Sequence, residues 1–199
     1  MTKYVSIIGN GESRMGFDIS PLKQFSSVIG CNAIHRDFVT EHLVCADKPM
    51  CQQAANAVGK GTTIYTREQW VNLFAMWPNV NKLPNLPYVG DKREDEPLHW
   101  GTGPYAGVLG LTFKPKAIFM IGFDLHPLEK DRINNMYTGS EGYKYIKRPV
   151  DPRYWIYQFH KLMGYSDPDT RWIVVNHDKW QMPEEWSQHS NVFQETYDG

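Results

Sequence analysis

Ile7-Ile8-Gly9-Asn10-Gly11-Glu12-Ser13 joins an apolar run to a small polar loop with two glycines. Lys3 to Gly9 reads as a strand buried on both faces, which needs no polar alternation. The pairing of a strand with a polar end recurs down the chain. Ser27 to Cys31 ends at Asn32, His42 to Ala46 at Asp47, and Arg171 to Val175 at Asn176. Lys116 to Ile121 runs through Gly122-Phe123 to Asp124, and Thr62 to Thr66 is a further strand-like run. Between these lie helical patterns. Pro49 opens one through Val58, and Arg67 to Met76 shows helical spacing of Trp70, Leu73 and Phe74. Gly103 to Phe113 follows the turn Gly101-Thr102-Gly103, and Pro152 to Met163 spaces Trp155, Phe159 and Leu162 helically. Strands alternating with helices predict an α/β, Rossmann-like, mostly parallel sheet with helices on both faces and a small irregular lid.

In a parallel sheet every carboxyl end lies on one edge. Asn10, Asn32, Asp47, Asp124 and Asn176 are therefore expected around one crevice, where open α/β sheets bind nucleotides. Asn and Asp also simply begin turns or cap helices, but five strand ends together with two glycine loops favour a site. Gly11 would let backbone amides approach a phosphate without a Cβ in the way, with Asn10 and Ser13 adding side-chain bonds. Thr102 and Gly103 open a helix, whose N-terminus favours negative charge. The small residues Ala106, Gly107 and Gly110 on that helix imply close approach to the sheet. Segments 78–98 and 125–150, rich in proline, charge or polar aromatics, read as lids on a single domain spanning 1–199. The polar tail from His177, with Trp180 and Trp186, is expected to fold back over the body or to meet another subunit, which makes a homo-oligomer plausible.

With 41% hydrophobic and 22% charged residues over 199 positions, the chain lies in the globular range. A formal net charge of -1 predicts no global attraction to nucleic acid or anionic membrane. Cys31, Cys45 and Cys51 form no CxxC pair, and their odd number, with no secretory leader pattern, is read as reduced thiols and a cytoplasmic location. No apolar run approaches the ~20 residues of a membrane span.

Familiar motifs fail residue by residue. The dinucleotide fingerprint asks for glycine where Arg14 stands, and no acid closes the second strand at Asn32. No Walker A lysine motif occurs. Glu94-Asp95-Glu96 and Asp167-Pro168-Asp169 do not follow strand ends and read as solvated turns. The seven histidines show no metal-binding spacing, so no metal is expected.

Taken together, Gly9-Asn10-Gly11-x-Ser13 with Asp18 and Ser20, Cys31-Asn32, the helix from Gly103, and Ile121-Gly122-Phe123-Asp124 resemble the bacterial lipooligosaccharide sialyltransferases. The resemblance covers most of 3–58 and 99–126, and 140–176 more loosely. The opening loop is also similar to pterin-diphosphokinase-like and flagellar motility accessory proteins. The sialyltransferase resemblance implies a metal-independent glycosyltransferase with a nucleotide-sugar donor, CMP-linked in that family, a glycan or small-molecule acceptor, and no other cofactor. It implies nucleotide contacts at Asn10, Gly11, Asn32, Thr102 (a serine in the family), Gly103 and Gly122. At the catalytic positions the chain departs from the family. Asp47 replaces an asparagine near the sugar, and His99 an arginine. His126 stands for one phosphate-binding tyrosine, with Tyr137 or Tyr143 as the other. Lys144 replaces the general-base histidine, and a lysine acts so only with a lowered pKa, towards which Lys147 and Arg148 would contribute.

Three functions remain open on the sequence. One is a transferase in which His126 and a lid tyrosine stabilise the departing phosphate while Lys144 or His99 takes the acceptor proton. The second is a nucleotide-binding protein that has lost catalysis. The third is a diphosphokinase-like, ATP-dependent transferase, for which Asp47 and Asp124 are the candidate magnesium ligands.

Overall fold

In the computed structural model, residues 3–87, 100–125, 134–143 and 151–197 are described. Their eight strands form one all-parallel sheet. The strands are β1 (Tyr4–Ile8), β2 (Ser27–Cys31), β3 (His42–Val44), β4 (Thr63–Thr66), β5 (Val80–Lys82), β6 (Ala117–Ile121), β7 (Arg171–Asn176) and β8 (Val192–Thr196). The spatial order is β5-β4-β3-β2-β1-β6-β7-β8, so the chain is an α/β protein with a Rossmann-like sheet.

Each face of the sheet has its own core, and the period-two alternation of a strand sorts residues between them. Val5 and Ile7 of β1 join Ile118 and Met120 of β6 on one face, while Ile8 and Ile121 serve the other. The first face is covered by α3 (Thr102–Thr112), α4 (Arg153–Tyr165) and the one-turn α5 (Glu184–Ser187). Phe159 is fully buried there against Phe123, Trp172 and Trp186. A fully buried side chain of this kind contributes roughly 1.5–3 kcal/mol. The second face is covered by α1 (Lys48–Ala57), the one-turn α2 (Glu68–Val71) and short 3-10 turns at 20–24, 32–36 and 72–74. Gly110 of α3 makes the close approach to the sheet that the sequence implied, whereas Gly107 lies nearest to α4. A Cβ on Gly110 would lie 3.2 Å from Val5 of the sheet, and one on Gly107 would lie 3.0 Å from Leu162 of α4.

Two expectations need correction. The helix over 67–76 shrinks to α2 and a 3-10 turn. Only Phe74 of that stretch is buried, while Leu73 and Met76 are 51% and 85% exposed, so tertiary packing does not extend the helix. The segment expected as a lid from residue 78 opens with the edge strand β5. The polar tail, expected to fold back over the body or to meet another subunit, does fold back. It returns to the body as α5 and then adds β8 beside β7. Among the described residues no helix is long and apolar enough to cross a membrane.

Burial lowers the pKa of two histidines. His42 on β3 sits beside Tyr65 and Phe113, and its desolvation outweighs the opposing pull of Glu41. His189 is lowered by burial and by His160, whose Nδ1 lies 3.0 Å from its Nε2. A depressed histidine binds its proton more readily in the unfolded chain, so stability falls as pH drops below the ordinary histidine value of about 6.5. Urea midpoints are expected to be lower at pH 5 than at pH 7.5. The double variant His42→Gln/His189→Gln should flatten that dependence, and an undiminished dependence would assign it to other groups.

Candidate functional site

The strand order reverses between β1 and β6. From β1 the chain builds one half of the sheet out to β5, and from β6 it builds the other out to β8. Outside the carboxyl ends of two such strands the covering loops diverge and leave a crevice. A cavity of about 410 Å³ opens there, walled by Gly9–Gly11 after β1 and Gly122–Leu125 after β6. The start of α3 from Gly101 to Pro104, the segment 134–143 and the first turns of α4 complete it.

The two strand-end loops are locked together at backbone level. Gly9 N–H donates to Ile121 O at 2.7 Å and Gly11 N–H to Gly122 O at 2.8 Å. A Cβ on Gly9 would lie 2.3 Å from Gly122 O, and Gly122 itself has φ +73°. Gly11 is glycine because a Cβ would lie 2.5 Å from the Asp124 carboxylate. Its amide is thus engaged within the sheet edge, and the phosphate-cradling role expected of it is not available. Ser13 is engaged likewise. Its amide donates to Asp124 Oδ2 at 2.8 Å and its hydroxyl to Oδ1, while Asn176 Nδ2 reaches Asp124 Oδ1 at 3.4 Å. Asp124, buried and facing the cavity, is the clasp joining β1, β6 and β7.

Where a third glycine would stand, Arg14 is buried, with Nε donating to Gly9 O at 2.8 Å and a terminal nitrogen donating to Tyr137 Oη at 2.9 Å. Tyr137 in turn donates to Asp37 at 2.5 Å. Met136 N–H bonds Asn10 O at 3.0 Å, and Glu12 N–H bonds Asn134 Oδ1 at 2.8 Å. Residues 134–143, expected as part of a lid, are tied to the β1 loop. Tyr137 is spent in this network, whereas Tyr143 lines the cavity. That separates the two tyrosines left as alternatives by the sequence.

Four of the expected residues meet on one wall. Thr102 Oγ1 donates to Asn32 Oδ1 at 3.1 Å, and Asn10 Nδ2 donates to Tyr143 Oη at 3.3 Å. Asn32 holds φ +50°, a left-handed conformation that asparagine tolerates better than most residues. Burial pushes the Tyr143 hydroxyl up to about 12, so it is a neutral phenol at working pH. Burial likewise raises Cys31, also in the wall, to about 12, which keeps it a protonated thiol and removes it as a nucleophile. Asp47 lines the cavity with its side chain 64% exposed and lies 3.7 Å from Arg67, which also donates to Trp100 O at 2.8 Å.

Several donors among the lining residues are left over by the protein's own hydrogen bonds. The Thr102 and Gly103 amides, in the first turn of α3, have no intrahelical partner. Asn134 and Asn135 use their Oδ1 atoms on Glu12 N–H and Tyr137 N–H, which turns their NH₂ groups the other way. The Trp155 indole N–H has no acceptor among the described residues. Against these stand the Asp47 carboxylate, the Asp124 carboxylate already accepting from Ser13 and Asn176, and Asn10 Oδ1, which is buried without a donor. No Lys or Arg is among the described lining residues. A ligand rich in acceptor oxygens is the complement of such a wall.

No family model, curated protein or solved structure matches the chain.

Of the expected strand-end residues, Asn10, Asn32, Asp47 and Asp124 reach the cavity with Gly11, Thr102, Gly103, Gly122 and Tyr143. Asn176 and Ser13 stand behind it, as partners of Asp124. His99, His126 and Lys144 lie outside the described residues. Sequence reasoning missed Asn134, Asn135 and Trp155. The asparagines sit in a segment without periodicity, and the tryptophan reads as part of an apolar helix stripe. Among the described residues no group of three or more His, Cys, Asp or Glu side chains is placed to hold a metal ion.

Proposed function

We propose that this protein is a glycosyltransferase that draws on a nucleotide-activated sugar and holds the nucleotide in the cavity outside β1 and β6. The observation that carries the reading is the cavity at the topological switch point, with the N-terminus of α3 opening onto it. Phosphate oxygens would meet the Thr102 and Gly103 amides and the helix dipole. Asn32, oriented by Thr102, and Asn10 would fix the nucleoside. In the reaction the acceptor oxygen bonds the anomeric carbon as the sugar–phosphate C–O bond breaks. The nucleotide leaves with that electron pair, and the acceptor proton passes to a base. Tyr143, a neutral phenol, would donate a hydrogen bond to the phosphate as its charge grows. His126 is proposed to share that role, and Lys144 or His99 to take the proton.

The same geometry serves a nucleotide-binding protein without turnover, and turnover separates the two. It does not favour the magnesium-dependent diphosphokinase reading, because Asp124 accepts bonds from Ser13 and Asn176 while Asp47 faces Arg67. Incubation with CMP-, UDP- and GDP-linked sugars should release nucleotide without added divalent cation. Tyr143→Phe should lower kcat by roughly 100-fold, the usual scale for one lost transition-state donor, with nucleotide affinity little changed. Binding without release from any donor sugar would establish the silent binding protein instead.

A further inference from the structure

We propose that Trp155 is the residue against which the planar base of the bound nucleotide stacks, and so sets the ligand's orientation in the cavity. The inference rests on the nucleotide reading above and adds to it a residue and a ligand group. Trp155 is the tryptophan of α4 and differs from the three that pack the core around β7 and α5, while Trp70, on the other face of the sheet, also leaves its indole N–H without a partner. Trp172, Trp180 and Trp186 each place the indole N–H on an acceptor, at Ser166 Oγ, Asp124 O and Ile156 O. Each also packs against another aromatic ring. Among the described residues Trp155 has neither an acceptor nor a ring neighbour, although it is half-buried and lines the cavity. Buried indoles usually find both, so a ring and a donor are left for something that enters.

The position is built rather than incidental. Gln158, one turn along α4, accepts the Gly101 N–H at 3.0 Å and so ties α4 to the start of α3. Gly101 carries no side chain where a Cβ would lie 2.6 Å from Trp155 Nε1. The indole is thus seated at the point where α3 opens into the cavity. Phe123, Leu125 and Phe159 add apolar side chains to the lining. The amides and hydroxyl of Asn10, Asn32 and Tyr143 share the same lining. A ligand with a flat apolar face, a polar edge and an anionic tail matches this lining, and a nucleoside phosphate has all three. An aromatic ring on an acceptor shares the flat face but lacks the phosphate, so an aryl glycoside tells the two sources apart.

The test is calorimetric titration of wild type, Trp155→Phe and Trp155→Leu with CMP, UMP, AMP, ribose 5-phosphate and a phenyl glycoside. Base-on-aromatic stacking predicts a loss of about 10- to 100-fold in nucleotide affinity for Trp155→Leu. Trp155→Phe, which keeps a ring, should stay within a few-fold of wild type. Ribose 5-phosphate, which has no base, should bind all three proteins alike. Unchanged nucleotide affinity in Trp155→Leu would overturn the inference while leaving the nucleotide reading in place. Equal losses for ribose 5-phosphate would also overturn it, since they would show a damaged cavity rather than a lost stack. A phenyl glycoside that binds wild type and loses affinity in Trp155→Leu, while nucleotides do not, would overturn it in favour of an acceptor ring. Failure of every nucleotide to bind wild type would overturn the nucleotide reading and this inference together.

Discussion

Gly9→Ala is expected to destabilise the protein by about 3 kcal/mol or more, the upper range for overpacking a rigid site. The new Cβ would lie 2.3 Å from the Gly122 carbonyl oxygen. Neither side can yield easily. Gly9 is held by its bond to Ile121 O, and Gly122 O is held by Gly11 N–H. The clash therefore falls on backbone at the centre of the sheet, not on a flexible side chain. For a chain of this length the shift in Tm should be on the order of 10 °C. Thermal melts of the variant would check it. A melt within 2 °C of wild type would show that the β1 and β6 ends are not clamped as described.

The effect expected at Asn32 on nucleotide binding requires two variants to read. Asn32→Ala removes the amide that pairs with Thr102, but also puts alanine at φ +50°, at a penalty of roughly 1–2 kcal/mol. Asn32→Gly removes the same amide and accepts that backbone conformation. Nucleotide affinity should fall by at least ~10-fold in both, the scale of one hydrogen bond made to a charged or buried partner. Stability should fall clearly only in Asn32→Ala. If Asn32→Gly binds as wild type, Asn32 shapes the turn after β2 and does not touch ligand. If both variants lose stability equally, the Thr102 bond rather than the backbone conformation is what holds the turn.

Much of this architecture is legible from the order of residues. The buried strands from Tyr4, Ser27, Ala117 and Arg171 announce themselves as apolar runs with polar ends, and α1, α3 and α4 fall within a few residues of their sequence patterns. The convergence of Asn10, Asn32, Asp47 and Asp124 follows from parallel strands alone. What is not legible is how a loop spends its hydrogen bonds. Gly11 and Ser13 look like a phosphate cradle in sequence, but their amides are taken by Gly122 O and Asp124, partners more than 100 positions away. Arg14 looks like a surface residue, and it is buried because Gly9 O and Tyr137 Oη supply acceptors that only the tertiary fold brings close. The edge strands β5 and β8 were hidden for another reason. Val80-Asn81-Lys82 and Val192-Phe193-Gln194-Glu195-Thr196 each bury little beyond one valine, and edge strands lack the apolar run that marks a central one. Trp155 shares its spacing with Phe159 and Leu162, and only the place of α4 over the sheet shows that it sits at the cavity rim while Phe159 enters the core.

The nucleotide site is tested most directly by calorimetric titration of wild type and Asn32→Gly with CMP, UMP, GDP and ATP, with and without magnesium. Magnesium-independent binding of one of these nucleotides, weakened at least ~10-fold in Asn32→Gly, is the expected result. Binding of none of them, or binding of ATP alone and only with magnesium, would contradict it.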